Sequence, residues 1–181
     1  MKRIGLAILI CASLFAYAQD QKGQQMKPST LKSILLLQLQ EVHNKEEWFV
    51  PANIAVEGLT AEQAKWTDGK GNHSVGQLAY HLAFWNKSSL ARLKGEQPPK
   101  FSGNNDETFN NFDAKQWADT VKQLDESLTE AEKLVENAND KQLSEWAPTI
   151  EKIATHNAYH IGQILVVRKQ QGSWNPEKGV K

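Results

Sequence analysis

Apolar residues recur at spacings of three and four along almost the whole chain beyond residue 30, and several of these runs open on a reciprocal cap. That pattern restricts the fold to helices packed on one another. Thr60 with Gln63, Ser74 with Gln77 and Asp113 with Gln116 all have capping-box spacing. After Ser74, the residues Val75, Leu78, Leu82 and Trp85 lie on one stripe, and Gly95 ends the run. After Asp113, the residues Trp117, Val121, Leu124, Leu128, Ala131 and Val135 follow at alternating spacings of four and three, the seam of a bundle. Leu31, Ile34, Leu35, Leu39, Val42 and Phe49 mark an earlier helix. Pro28 suits its first position, Pro51 would kink or break it, and Gly58 reads as a cap. Thr60 opens a short helix to about Trp66. The last helix is expected to begin near Pro148 and end at Gly172, with Ile153, His156, His160, Ile164 and Val167 as its stripe. No segment alternates as a strand does, and there is no internal repeat.

Four long amphipathic helices predict an all-α fold, a four-helix bundle with one long connection between helices 2 and 3. That connection, residues 96–112, contains Pro98, Pro99, Gly103 and several Asn. Loops of this length inside a domain often serve as lids or binding loops. This one reads either as a lid over the open end of the bundle or as a static loop whose Asn side chains bond their own backbone.

The first residues read as an address. Lys2 and Arg3 precede an apolar run from Ile4 to Phe15, and Ala16-Tyr17-Ala18 is a small-x-small cleavage signal. Residues 1–18 are therefore expected to be a cleaved secretory signal peptide, 19–27 a flexible leader, and 28–181 a single domain. The expected location is outside the cytoplasm, periplasmic or secreted. The alternative is a membrane-anchored form with an uncleaved N-terminus or one lipidated at Cys11, although Ile10 is not the small residue that normally precedes a lipidated Cys. No later stretch is long and apolar enough for a span, so no stable membrane insertion is expected once the signal is removed.

Cleavage would leave 163 residues with 19 basic against 21 acidic ones, a net charge of −2. A nucleic-acid partner is not expected, because such binders usually carry a basic surplus. The only Cys would be lost with the signal, so disulfides, Cys metal ligands and a Cys nucleophile are excluded from the mature chain. A homodimer is compatible with a bundle of this size, but no exposed seam demands one.

The chemistry lies on the stripes. His156 and His160 are four apart on one helix, a common way for two imidazoles to hold one metal. His81 falls between Leu78 and Leu82 on the apolar side of another helix. Three nitrogens from two helices suit one divalent ion, zinc or nickel, with a position left open for a small-molecule ligand or substrate. A lone buried His is more often a hydrogen-bonded core residue. Three together are costly to satisfy unless they share a partner, and a metal is one such partner. The zinc-protease pattern fails here, because Asn157 stands where its Glu would be. Neither a G-x-S-x-G elbow nor a phosphate-cradling glycine loop is present, and Asn86-Lys87-Ser88, a nominal glycosylation acceptor, falls mid-helix.

The segments NHSVGQLAYHLAFWN (Asn72 to Asn86) and HNAYHIGQILVVRK (His156 to Lys169) resemble the second-helix and last-helix signatures of the DinB-like superfamily of metal-binding four-helix bundles. EGLTAEQAKW precedes the first signature, as in many members, and the likeness extends over about residues 30–170. The resemblance implies a bundle with a metal held by His81, His156 and His160. Characterised members include thiol-dependent transferases and a thiol-dependent isomerase. An exported chain would find such thiols scarce, which points away from thiol transfer.

Other candidates for the site follow from position. Gln40, His43 and Glu47 share a face of the first helix. If that face turns inward, His43 or Glu47 could serve as a general base; if outward, both are ordinary surface groups. Asn157 and Gln163 flank the His pair and could donate hydrogen bonds to the ligands. Tyr80 and Tyr159 adjoin proposed ligands, as rim groups or as helix spacers. Of the six Trp, Trp85 is the best placed to wall a pocket, one turn past His81. The function expected is therefore an exported metal-dependent hydrolase or transferase of unknown substrate; the alternative is a non-catalytic extracytoplasmic protein that binds metal or ligand.

Overall fold

Three helices of this chain start where a side chain satisfies a free N–H group. The computed structural model describes residues 29–179; the expected signal peptide, leader and Pro28 helix start lie outside the described residues. The chain divides into two units, Met1–Thr30 and Leu31–Lys181, and only Ser29 and Thr30 of the first are among the described residues. The second unit contains α1 (Leu31–His43), α2 (Ala52–Val56), α3 (Ala61–Lys65), α4 (Val75–Lys94), α5 (Glu107–Asn110), a 3₁₀ turn (Ala114–Gln116), α6 (Trp117–Asn137), α7 (Asp140–Gln171) and a second 3₁₀ turn (Pro176–Lys178). No strand occurs among the described residues.

The capping boxes at Thr60 and Ser74 form with both reciprocal bonds, opening α3 and α4. Gly95 ends α4 at φ 73°, a left-handed conformation that costs Gly little. Asp113 departs from expectation. Its side chain accepts from Lys115 N and caps the short 3₁₀ turn, and α6 begins only at Trp117 with no side-chain cap. The last helix also begins earlier than Pro148 suggested. Asn139 and Gln142 make a capping box, and Pro148 sits inside α7. It is exposed there, so the carbonyl that loses its N–H partner can be hydrated.

The first helix ends at His43, short of the expected run towards Pro51. Asn44 N and Lys45 N both donate to Gln40 O, at 3.0 and 2.8 Å, and close the last turn. Pro51 instead becomes the N-cap of α2, and Gly58 lies just beyond that helix's C-cap, Glu57. Leu35, Leu39 and Val42 are buried, whereas Leu31 and Ile34 are exposed at 42% and 45%. Leu31 is the first residue of the helix, and Ile34 stands about 100° off the buried stripe.

The four long helices close into a bundle in which α1 and α4 each pack against both α6 and α7. The core includes Leu39, Leu82, Leu128 and Ile164, each at 0–1% exposure, and each fully buried side chain of this kind contributes about 1.5–3 kcal/mol relative to exposure. Arg168 ties the far end of α7 to α2, donating to Ala55 O at 2.7 Å and to Ser173 O at 2.9 Å.

The long connection returns to the bundle through α5. Asn104 Oδ1 accepts from Asp106 N at 3.1 Å, a bond of the self-bracing kind. The same segment also lays Thr108 and Phe109, both buried, against α4. Phe112 rests on Gly76, where a Cβ would lie 2.2 Å from the ring, so this approach requires glycine.

Candidate metal centre

Placing His81 on α4 and His156 and His160 on α7 brings three imidazoles to one point, because α4 and α7 are neighbours in the bundle. One ring nitrogen from each lies within 4.8 Å of the other two. The Nε2 atoms of His81 and His156 are 3.1 Å apart. Two nitrogens bound to one zinc at about 2.0–2.1 Å each stand roughly 3 Å apart, so the spacing suits a shared ion. His81 is 3% and His160 7% exposed, and His156 is half-buried.

The remaining ring nitrogens settle which lone pairs are available. His81 Nδ1 lies 2.6 Å from Thr108 Oγ1, and the Thr108 hydroxyl spends its own proton on Asn105 O at 2.6 Å. The hydroxyl oxygen is therefore the acceptor, His81 carries its proton on Nδ1, and the Nε2 lone pair faces the cluster. His160 is arranged the same way. Its Nδ1 donates to Gln163 Oε1 at 2.6 Å, and Gln163 Nε2 donates to Tyr159 Oη at 3.3 Å. Burial and the neighbouring imidazoles push His81 down to about 3 and His156 down to about 4; burial lowers His160 as well, opposed by its bond to Gln163. All three rings are thus neutral near pH 7, the form a metal requires. This donor set fits a divalent ion: neutral nitrogens, two of them oriented by hydrogen bonds from behind.

A cavity of about 660 Å³ opens on the cluster. Trp85, Phe109 and Tyr159 are its aromatic lining, and Lys152 is the only charged lining residue among the described residues. The size is that of a small-molecule site. Phe109 lies parallel to His81, with centroids 3.8 Å apart, and His73 stacks on Phe109 at 4.0 Å.

The remaining sequence candidates fall in several places. His43 does point inward, at 3% exposure. Its Nδ1 is 2.6 Å from Glu132 and its Nε2 2.9 Å from Asp125, both on α6, so neither nitrogen serves the cluster. Glu47 lies beyond the end of α1 in an exposed bend and pairs with Lys45 at 2.8 Å. Neither residue lines the cavity, so the placement that a general base would need is not met. Asn157 is fully buried but bonds to Asn86, donating at 2.8 Å and accepting at 3.2 Å, and not to a cluster His. Gln163 touches His160, Trp85 and Tyr159 line the cavity, and Tyr80 leans towards Phe112 with ring centroids 6.4 Å apart.

Sequence reasoning missed Thr108, Phe109, His73, Asn86 and Lys152. Asn86 was legible: it follows Leu82 by four on the buried stripe, so a mid-helix amide there needed a buried partner. Thr108 and Phe109 sit in a segment with no periodicity to read.

A helical bundle with three inward imidazoles on two adjacent helices defines a class of proteins whose site could hold a metal ion. The chain belongs to the DinB superfamily, whose family model matches residues 52–164, the stretch that contains all three His. No curated protein and no solved structure matches it.

Proposed function

We propose that this chain is an exported DinB-superfamily enzyme that holds one divalent ion, zinc or nickel, on His81, His156 and His160 and acts as a hydrolase or transferase on a small molecule. The observation that carries this reading is the set of three clustered nitrogens under an open cavity, with the Nδ1 atoms of His81 and His160 tied to Thr108 and Gln163. When bound, the ion would supply Lewis acidity at the cavity floor. Thr108 and Gln163 hold two rings in the tautomer that presents Nε2. Phe109 shields one face of His81, and Trp85 and Tyr159 bound the space a substrate would fill. Export rests on the cationic, apolar and small-residue order of Met1–Ala18. No helix among the described residues is long and apolar enough to cross a membrane.

The test is a screen of the metal-loaded chain against ester, amide, phosphoester and thiol-conjugation substrates. Turnover that disappears in His160→Ala supports the reading; turnover unchanged by that substitution contradicts it. A second reading, a non-catalytic extracytoplasmic binding protein, is favoured by the cavity lining, which includes no Asp or Glu to act as a base. Chelation separates the two. A structural ion should change the melting temperature more than any activity, and a catalytic ion the reverse.

A further inference from the structure

Building on the metal reading above, we propose that the cavity takes a small aryl carboxylate in its anionic form, with the carboxylate drawn towards Lys152 and the His cluster and the flat ring laid on Trp85.

The sign of the charge comes first. Among the described residues no Asp or Glu lines the cavity, and Lys152 is its only charged side chain. Lys152 takes part in none of the ion pairs among the described residues. It precedes His156 by four residues on α7, so its stem and that imidazole lie on one face of the helix. With a divalent ion on the cluster, both floor and mouth are positive, and nothing negative opposes an incoming anion.

The polar groups narrow the choice. Asn86 already bonds Asn157 in both directions and reaches Ser127 at 3.4 Å. The Thr155 hydroxyl is spent on Glu151 O at 3.0 Å. Ser89, Asn105 and Tyr159 line the cavity as neutral polar groups, and among the described lining residues Lys152 is the charged donor for a carboxylate.

The shape comes from the rings. Both faces of Phe109 are covered, by His81 at an interplanar angle of 9° and by His73 at 3°. Phe109 can offer a ligand only its edge. Trp85 is the opposite case. It meets His81, Phe84 and Phe101 at 68°, 89° and 69°, so none of the described rings is stacked on it. Its Nε1 donates to Asn105 Oδ1 at 3.3 Å, which sets the plane of the indole. A fixed, unstacked indole on the cavity wall suits a flat body better than a branched one.

The test loads the chain with zinc, measures zinc per chain, and titrates benzoate, benzamide, benzylamine and acetate by calorimetry. Benzoate should bind about tenfold or more tighter than benzamide, and benzylamine should not bind detectably. Lys152→Gln should weaken benzoate about five- to tenfold while leaving benzamide and the zinc content unchanged. Trp85→Leu should bring benzoate down to the level of acetate. Should that variant fold poorly, the Trp85 indole N–H resonance of the wild type should shift on benzoate addition. Equal binding of benzoate and benzamide, tighter binding of benzylamine, or an unmoved Trp85 resonance, with one zinc present per chain, would overturn the proposal and leave the metal reading standing. A chain that takes up no zinc would overturn both, and the zinc measurement distinguishes that case.

Discussion

The bundle buries imidazoles in two places and gives them opposite company. At one, His43 lies between two carboxylates on α6, with Asp125 facing one nitrogen and Glu132 the other. Both ring nitrogens are engaged by carboxylates of α6, so this His clamps α1 to α6 and neither nitrogen serves the cluster. At the other, His81 and His160 are backed by a hydroxyl and an amide oxygen, and His156 faces His81. Neutral acceptors take one proton from each ring and leave the other nitrogen with a lone pair. The same residue type is thus a structural tie in one place and a candidate ligand in the other, and the partner decides which.

The largest expected effect is on metal content. His160→Ala or His156→Ala should remove the bound ion almost completely, and His43→Ala should leave it in place, as read by elemental analysis. Thr108→Val should come next. It removes the acceptor that fixes His81, and loss of such a supporting bond costs roughly 10–100-fold in metal affinity. Competition with a chromophoric chelator would measure it, and an unchanged affinity would mean that the ring is oriented by packing on Phe109 alone.

The clamp should respond in stability. His43→Ala should cost about 1–3 kcal/mol in urea unfolding, at the lower end because Asp125 is partly open to water. The metal affinity of that variant should be unchanged.

A further expected effect is on pH dependence, and it separates the two places further. His81 and His156 are held at about 3 and about 4 when folded, below the ordinary 6.5. Between those limits the unfolded chain binds more protons. The metal-free protein should therefore lose stability as pH falls from about 6.5 towards 4, with no contribution from these groups above 6.5. Asp125 is lowered below 3.8, first by its bond to His43, so its contribution persists down to about 3.8 and is lost only in stronger acid. Melting curves of the metal-free wild type and of His81→Phe across this range would show it: the variant should have the shallower decline.

Most of the bundle was legible in the sequence because its signals are local. Capping pairs at Ser74 and Thr60 and the seam from Trp117 to Val135 are set by neighbours within a turn or two. The cluster was legible for the same reason: His81, His156 and His160 each fall on an apolar stripe. What was not legible depends on contacts distant in sequence. The facing of His43 is decided by Asp125 and Glu132, 82 and 89 residues away. Thr108 meets His81 across 27 residues, from a segment without periodicity. Pro148 misled for a different reason. Proline usually marks a helix start, but the Asn139–Gln142 box had already opened the helix, and an exposed position tolerates the lost bond.

The most direct measurement is the metal content of the chain from Gln19 to Lys181, purified without a tag or chelator, beside His156→Ala and His43→Ala. The expected result is close to one zinc or nickel per chain in the wild type and in His43→Ala, and almost none in His156→Ala. No metal in the wild type after dialysis against zinc and nickel, or equal metal in His156→Ala, would contradict the assignment of the three imidazoles as ligands.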